Sequence, residues 1–360
     1  MGSVSILPSF NHLVAEALAE HGFIKLEKLI VLDNSSKYDP DGMDHVSEDV
    51  SDREALGAIF ECMADLNRTA VQSPTLCAGD QGISFRDALH ASTDQLVRLI
   101  NNRPVRYVEL GPEPWKSSTI LSKLLGAGVT VRQYIGVDIN PESEELMRRE
   151  LESRIGADKF SYWVRNFYEA SADEHPPLPP SAQPRQDNDD YVTVITNLGF
   201  QEGNDLPSRI GSMLARLTRP GDLLLSEMQV CPSKITDLVS TTCIQEFYLQ
   251  PEMRRFSALV RQRAYKGLSG SPSQGNENDT ADEYLYKLVP LQTEVGMVNV
   301  ATTLMSVMVQ GIKKYILTNS CLKYTLDQFV RAREMMGDFA VRAVEETGDK
   351  SVVFQVAERL

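Results

Sequence analysis

Nothing in this sequence is arranged like a disulfide framework or a metal site. Its five cysteines, at positions 62, 77, 231, 243 and 321, are scattered, odd in number and without CxxC spacing. That usage suits a reducing cytoplasm, where thiols stay free. The five histidines, at 12, 21, 45, 90 and 175, pair with no histidine or cysteine at ligand spacing. Zinc chemistry and histidine-driven triads are therefore poor expectations, and no metal is expected. No apolar run approaches the ~18 residues of a membrane span. The first twenty residues lack the basic start and apolar stretch of a secretory signal. Ile6 stands where a myristoylation signal needs serine or threonine. Cations are in deficit, with 36 Lys and Arg against 50 Asp and Glu and a net charge of −14. A phosphate-backbone binder concentrates a basic face, and none is visible. The expected partner is a small molecule, with neither nucleic acid nor membrane, in the cytoplasm; the sequence does not address oligomeric state.

What is present is room and rhythm. At 360 residues, 42% apolar and 24% charged, the chain is an ordinary soluble composition long enough for two domains. Apolar residues at three- and four-residue steps predict helices over His12–Leu32, Asp52–Leu66 and Phe85–Ile100. A turn-rich acidic stretch, Asp33–Val50, separates the first two. From Val105 the pattern alternates. Strands are expected at Val105–Leu110, Val131–Asp138, Phe160–Phe167, Tyr191–Leu198 and Asp222–Met228, with helices at Trp115–Leu125, Pro141–Arg154 and Leu206–Leu217. Asn140 is a natural cap for the second of these, with Pro141 in its first turn. Such alternation implies a parallel sheet covered by helices on both faces.

Two stretches break the rhythm. Ser171–Asp190, with five prolines and five acidic residues, reads as a surface loop; Lys266–Glu283, rich in Gly, Ser and Asn, reads as mobile. Pro232–Ala264 looks helical and too long for a simple crossover, so it is expected to join the N-terminal helices in a substrate-facing layer. Strand-like segments follow at Val289–Thr302 and Tyr315–Asn319, then a helix at Thr325–Met336 and a last strand at Ser351–Ala357. The expected division is 1–100 for the helical N-terminal part, 101–230 for the Rossmann-like core, 231–300 for the insertion and 301–360 for a return to the core sheet.

The chemistry-bearing stretch is Tyr107-Val-Glu-Leu-Gly-Pro-Glu-Pro-Trp-Lys-Ser-Ser-Thr119, followed by Tyr134-Ile-Gly-Val-Asp-Ile-Asn140. In an open α/β sheet the turn after the first strand approaches a cofactor, and an acid after the second strand binds ribose hydroxyls. Asp138 lies 27 residues beyond Gly111, and the G-x-G-x-x-G string is absent. Pro112 and Pro114 also remove N–H donors that would cradle phosphate. A cofactor with ribose but no phosphate fits, and S-adenosylmethionine is one. Glu109 would sit near its ammonium, Asp138 on the ribose, and Asn166 and Phe167 beside the adenine. The plainer alternatives are solvated strand-end acids for Glu109 and Asp138, and a core aromatic for Phe167.

These residues resemble the histidine-specific S-adenosylmethionine-dependent methyltransferases, the family of the ergothioneine-pathway enzyme and of fungal N-methyltransferases of prenylated tryptophan. The resemblance covers about Tyr107–Leu360 and, weakly, the N-terminal part. It is carried by Glu109-Leu-Gly111 with Lys116, Tyr134–Ile139, Asn197-Leu-Gly-Phe-Gln-Glu-Gly-Asn204, Pro220–Leu225 and Ile316-Leu-Thr-Asn-Ser-Cys-Leu-Lys-Tyr-Thr325. It implies a class I methyltransferase fold and cofactor contacts at Gly111, Lys116, Asp138, Asn166, Phe167, Asn197 and Gly199. It also implies that Asn204 holds substrate, although Asn204 could equally cap the helix that follows. The substrate chamber is expected to include Tyr38, Phe200, Glu202, Asn204, Asn319 and Cys321; Tyr38 could be a plain loop aromatic.

Two departures mark a divergent member. The family's Thr-Glu-x-Ser, which grips substrate, aligns with Thr318-Asn319-Ser320-Cys321, so histidine itself is not the expected substrate. Glu113 stands where a second glycine is expected, and a charge there must pair, reach water or face the cofactor cation. The expectation is methyl transfer to nitrogen of a small amino-acid-derived metabolite, with no catalytic side chain specified. Two rivals stand beside it: an enzyme that cyclises the cofactor and releases methylthioadenosine, and an interaction protein on an inactive methyltransferase scaffold.

Overall fold

Six consecutive buried residues, Val105–Leu110, alternate between two apolar surroundings, as only a strand covered on both faces does. Val105 and Tyr107 pack among helical residues such as Phe85, Leu89 and Leu121, whereas Val108 and Leu110 pack with Ile210 and Leu214. The computed structural model describes residues 9–38, 50–176, 191–231, 238–269 and 283–360.

In chain order the elements are α1 (Phe10–Glu20), β1 (Leu29–Ile30), α2 (Val50–Gln72), α3 (Phe85–Ile100), β2 (Val105–Leu110), α4 (Pro114–Gly126), β3 (Val131–Asp138), α5 (Glu144–Ile155), β4 (Phe160–Val164), β5 (Val192–Asn197), α6 (Pro207–Leu217) and β6 (Leu223–Gln229). Then come α7 (Leu238–Leu249), α8 (Pro251–Ser269), β7 (Tyr284–Thr293), β8 (Gly296–Val309), β9 (Ile312–Lys323), α9 (Leu326–Met336), β10 (Phe339–Glu346) and β11 (Val352–Arg359).

Seven strands form one sheet in the order β10-β11-β6-β5-β2-β3-β4. The five from β6 to β4 are parallel, and β11 runs antiparallel between β6 and β10. The fold is therefore the expected α/β class, a Rossmann-like sheet with helices on both faces. The chain leaves β2 towards β3 and β4, then returns to place β5 on the other side of β2, so the strand order reverses between β2 and β5. That reversal opens a crevice at the carboxyl ends of the strands, where ligands of open α/β sheets bind.

A second sheet, β1-β9-β8-β7, lies outside the core. It shares an apolar cluster with α1, α2 and α8, in which Val14, Ile59, Phe256, Val300 and Leu317 meet. The expected pairing of the N-terminal helices with the 232–264 region is thus seen in α2 and α8.

Several boundaries differ from the sequence reading. His12–Leu32 is not one helix: α1 stops before Gly22, which sits at φ +70°, and Leu29–Ile30 pairs in parallel with Tyr315 and Ile316. Pro141–Arg154 begins as a 3-10 turn, with Asn140 accepting from the Glu142 N–H. The third strand stops at Val164. Val289–Thr302 is two strands, turning at Glu294–Val295 into Gly296 at φ +105°. β10 escaped prediction because an edge strand with little fully buried surface shows a weak pattern. The boundary at 300 runs through β8, and 301–323 belong to the second sheet; return to the core begins with β10. α8 extends to Ser269, into the Lys266–Glu283 stretch read as mobile; residues 270–282 of that stretch lie outside the described residues. So do most of Asp33–Val50 and Ser171–Asp190, and residues 232–237 of the inserted segment.

Candidate functional site

At the carboxyl ends of the parallel strands lies a cavity of about 510 Å³, within the usual range for small-molecule sites. Its floor begins at Gly111, which follows β2 at φ +56° and donates its N–H to Val137 O at 2.9 Å. A side chain there would displace Gln201: a Cβ on Gly111 would lie 2.0 Å from Gln201 Nε2. That amide donates to both Leu110 O and Gly111 O at 3.1 Å, locking the turn.

Glu113, the charge that seemed out of place, is the cap of α4. Its carboxylate accepts from the Trp115 N–H at 3.0 Å and the Lys116 N–H at 2.5 Å, meeting orphan donors of the first turn. It lines the cavity, and burial pushes its carboxyl up to about 7.

Asp138 ends β3 at the cavity wall and accepts from the Asn140 N–H at 2.9 Å. Desolvation pushes it up to about 7, so a partner able to donate hydrogen bonds or carry positive charge would be welcome there. Beyond β4, Asn166 accepts from the Tyr168 N–H at 3.1 Å, and the Phe167 ring stacks on Tyr168 at 5.1 Å. Phe167 serves both readings, packing on the core while lining the cavity.

The turn after β5 is held in an uncommon shape. Gly199 lies at φ +73° and Phe200, a bulky aromatic, at φ +62°. Left-handed geometry at such a residue is an outlier that surrounding structure must enforce. Gly199 N–H donates to Glu227 Oε2 at 3.0 Å, and the Phe200 ring meets Phe247 edge-on at 5.6 Å. From the N-terminal part, Asn34 donates to Asn204 O at 2.5 Å and brings Tyr38 to the same wall. Burial, then the charge of Asp138, raises the Tyr38 hydroxyl well above the usual phenol range. Asn204 is not the cap of α6; that position is Leu206, without a side-chain bond.

Eight of the residues singled out from sequence therefore line one cavity: Gly111, Asp138, Asn166, Phe167, Gly199, Tyr38, Phe200 and Asn204. The others are not among its lining residues. Glu109 points to the α4 face, where Ser117 donates at 2.5 Å and Tyr134 at 2.9 Å, and burial pushes its carboxyl up to about 8. It is thus neither solvated nor lining. Lys116 Nζ pairs with Glu227 at 2.6 Å. Asn197 is buried with neither amide atom partnered. Glu202 is clasped by Arg333, and Cys321 donates to Phe200 O at 3.5 Å. Asn319 lies on β9 opposite Thr303.

Sequence reasoning missed the wall built from distant segments. Ile59, Phe60 and Met63 come from α2, Gln229 from the end of β6, Glu246 from α7, and Asp349 from the β10–β11 turn. No local signal marks them. Among the described residues, no group of three or more His, Cys, Asp or Glu could hold a metal, and no helix is long and apolar enough to cross a membrane.

No family model matches this sequence, and no curated protein matches it. Among solved structures, the CcbJ methyltransferase from Streptomyces caelestis is 10% identical, with 84% of this chain and 98% of that chain covered at a TM-score of 0.39. CalS10 from Micromonospora echinaspora, an amino pentose methyltransferase solved with S-adenosylmethionine bound, is 12% identical, covering 78% and 93% at 0.38. An S-adenosylmethionine-dependent methyltransferase from Clostridium acetobutylicum is 8% identical, covering 75% and 92% at 0.38. Likeness of that order assigns no residue a role.

Proposed function

We propose that this chain binds S-adenosylmethionine and directs methyl transfer to nitrogen of a small amino-acid-derived metabolite other than histidine. One observation carries the reading: Gly111 and Asp138, at successive carboxyl ends beside the strand-order reversal, open onto one cavity. The residues present fit the cofactor. Asp138 is a desolvated acceptor at the place where ribose hydroxyls bind in such sheets, and the bare Gly111 leaves backbone at the surface. Phe167 supplies an apolar face and Asn166 an amide for a purine edge. The cavity's carboxylates suit a sulfonium. What points to the histidine-specific methyltransferases is the resemblance of the sequence motifs.

When bound, the cofactor supplies an activated methyl group, and the chain's task is binding, aim and exclusion of water. Gln201 and Glu227 keep the turns at Gly111 and Gly199 in place, and the Phe200 and Phe247 rings close the apolar side. Orientation of this kind is worth roughly 7–11 kcal/mol. Deprotonating an amine costs about 1.4 kcal/mol per pKa unit above ambient pH, so no dedicated strong base is required. Since Glu113 caps α4, its carboxylate no longer argues for the cyclising rival.

Calorimetry with S-adenosylmethionine tests the reading, followed by mass analysis of the product made from it. Asp138→Ala should weaken binding 10-fold or more while leaving the far-ultraviolet circular dichroism unchanged, with S-adenosylhomocysteine as the product. Failure of the wild-type protein to bind at millimolar cofactor, or equal affinity in Asp138→Ala, would overturn it.

A further inference from the structure

The sheet order gives the cavity two ends. Asp138, Asn140 and Asn166 stand over β3 and β4, while Gln229, Asp349 and Ser351 stand over β6 and β11. β3 and β6 are three strand steps apart, about 14 Å at the usual spacing. A cofactor seated over β2 and β3 therefore leaves the β6 end for an acceptor.

The charge there is one-sided. Among the described residues that line the cavity, six are carboxylates and none is Lys, Arg or His. Two of the six are already engaged, Glu227 by Lys116 and Glu113 by the first turn of α4. Asp349 Oδ1 accepts from Ser351 and Thr347 within its own turn, and the carboxylate also meets the Cys77 thiol. Glu246 comes from α7 and Glu252 from the first turn of α8. A second, independent observation lies beside them. Gln229 lines the same cavity at 4% exposure, and its Oε1 has no hydrogen-bond partner. A sealed acceptor of this kind calls for a donor. The two thiols of this wall agree: burial pushes Cys77 up to about 12, with the field of Asp349 adding to it, and Cys243 is raised by burial, then Asp349 and Glu246. Asp349 and Glu246 thus share one neighbourhood. Phe85, Phe200 and Phe247 supply apolar surface nearby.

We infer that the acceptor is a cationic amine without a carboxylate, its ammonium held among Gln229, Glu246 and Asp349 and its hydrocarbon part against the phenylalanine rings. An amino acid would bring a further negative charge to a wall whose described residues include no Lys, Arg or His to meet it. This inference rests on the cofactor reading and narrows its acceptor.

Matched pairs differing only by a carboxylate test it: phenethylamine against phenylalanine, and cadaverine against lysine. Titrations use the full chain, first with S-adenosylmethionine alone and then with each probe in the presence of S-adenosylhomocysteine. The expected result is at least 30-fold tighter binding of one amine than of its amino acid. Glu246→Gln should weaken that amine 5-fold or more and leave cofactor binding within 2-fold. Asp349→Asn serves as the second variant, since its amide oxygen can keep the bonds within the β10–β11 turn. If the cofactor binds while amino acids bind as tightly as amines, or neither amine binds, the inference falls and the cofactor reading stands. If amines are selected while S-adenosylmethionine does not bind, the cofactor reading falls and the cation preference stands.

Discussion

Lys116 Nζ on α4 lies 2.6 Å from Glu227 Oε2 on β6, with the two side chains 0% and 2% exposed. The same carboxylate oxygen accepts the Gly199 N–H at 3.0 Å, so this one pair ties a helix, a strand and the turn after β5. Lys116→Met should leave a buried carboxylate uncompensated and cost about 3–5 kcal/mol. The double variant Lys116→Met/Glu227→Gln should recover more than half of that, because the amide oxygen still accepts from Gly199. Urea unfolding measures both. Equal losses in the single and double variants would show that the pair is not what holds this region.

Glu109 makes stability depend on pH in a definite direction. Its folded-state value of about 8 stands above the ordinary carboxyl value of 4.5. Between these values the native state keeps a proton that the unfolded chain has released. Its contribution to stability is complete below about 4.5 and is lost as pH rises to about 8. Glu113 and Asp138, each pushed up to about 7, act in the same sense, while His175, lowered to about 4, and Lys37, lowered to about 7, act in the opposite one, so the raw pH profile mixes them all. Comparison with Glu109→Gln separates Glu109 from the others. The variant should match the wild type near pH 4.5 and gain on it by up to about 1.4 kcal/mol per unit towards pH 8. A difference that stays flat from pH 5 to 8 would contradict a buried, protonated Glu109.

Gly111→Ala tests the turn at the head of the cavity. The new Cβ meets Gln201 at 2.0 Å in a backbone at φ +56°. Left-handed geometry alone costs an alanine roughly 1–2 kcal/mol, and displacement of Gln201 frees the Leu110 and Gly111 carbonyls. S-adenosylmethionine binding should fall more than 10-fold. Gly221→Ala is the control: φ is +87°, but nothing lies within 4 Å of its Cβ. It should show the strain in thermal unfolding and bind the cofactor normally.

Thr325 begins α9 with a reciprocal cap, accepting from the Gln328 N–H at 3.2 Å while Gln328 Oε1 accepts from the Thr325 N–H at 3.0 Å. Thr325→Ala should cost about 1 kcal/mol. Thr325→Ser should restore most of it in the same denaturant titration. Loss of stability in the serine variant equal to that in alanine would assign the effect to the methyl group instead of the hydroxyl.

Much of the core was legible because its signals are local. Val105–Leu110, Val131–Asp138 and Phe85–Ile100 are strands and a helix at the bounds that apolar spacing gives them. The acceptor wall was not legible in the same way. Gln229, Glu246 and Asp349 sit in three elements with no shared motif, and nothing in their neighbours distinguishes them from surface residues. Glu109 shows an intermediate case. Period-two alternation places it with Val105 and Tyr107 on the α4 face, yet its closeness to Gly111 in sequence suggested the cavity.

The amino-acid order alone determined the alternation of strand and helix, the bare turn at Gly111 and the acid that ends β3, because each depends on spacing and backbone freedom within a few residues. Tertiary structure decided which charges are neutralised and which face open space. Pairing Lys116 with Glu227, or Arg333 with Glu202, requires side chains 111 and 131 residues apart to be sealed together from water. The anionic character of the cavity follows from that packing, since carboxylates from β6, α7 and the β10–β11 turn converge there and none of its described lining residues is Lys, Arg or His.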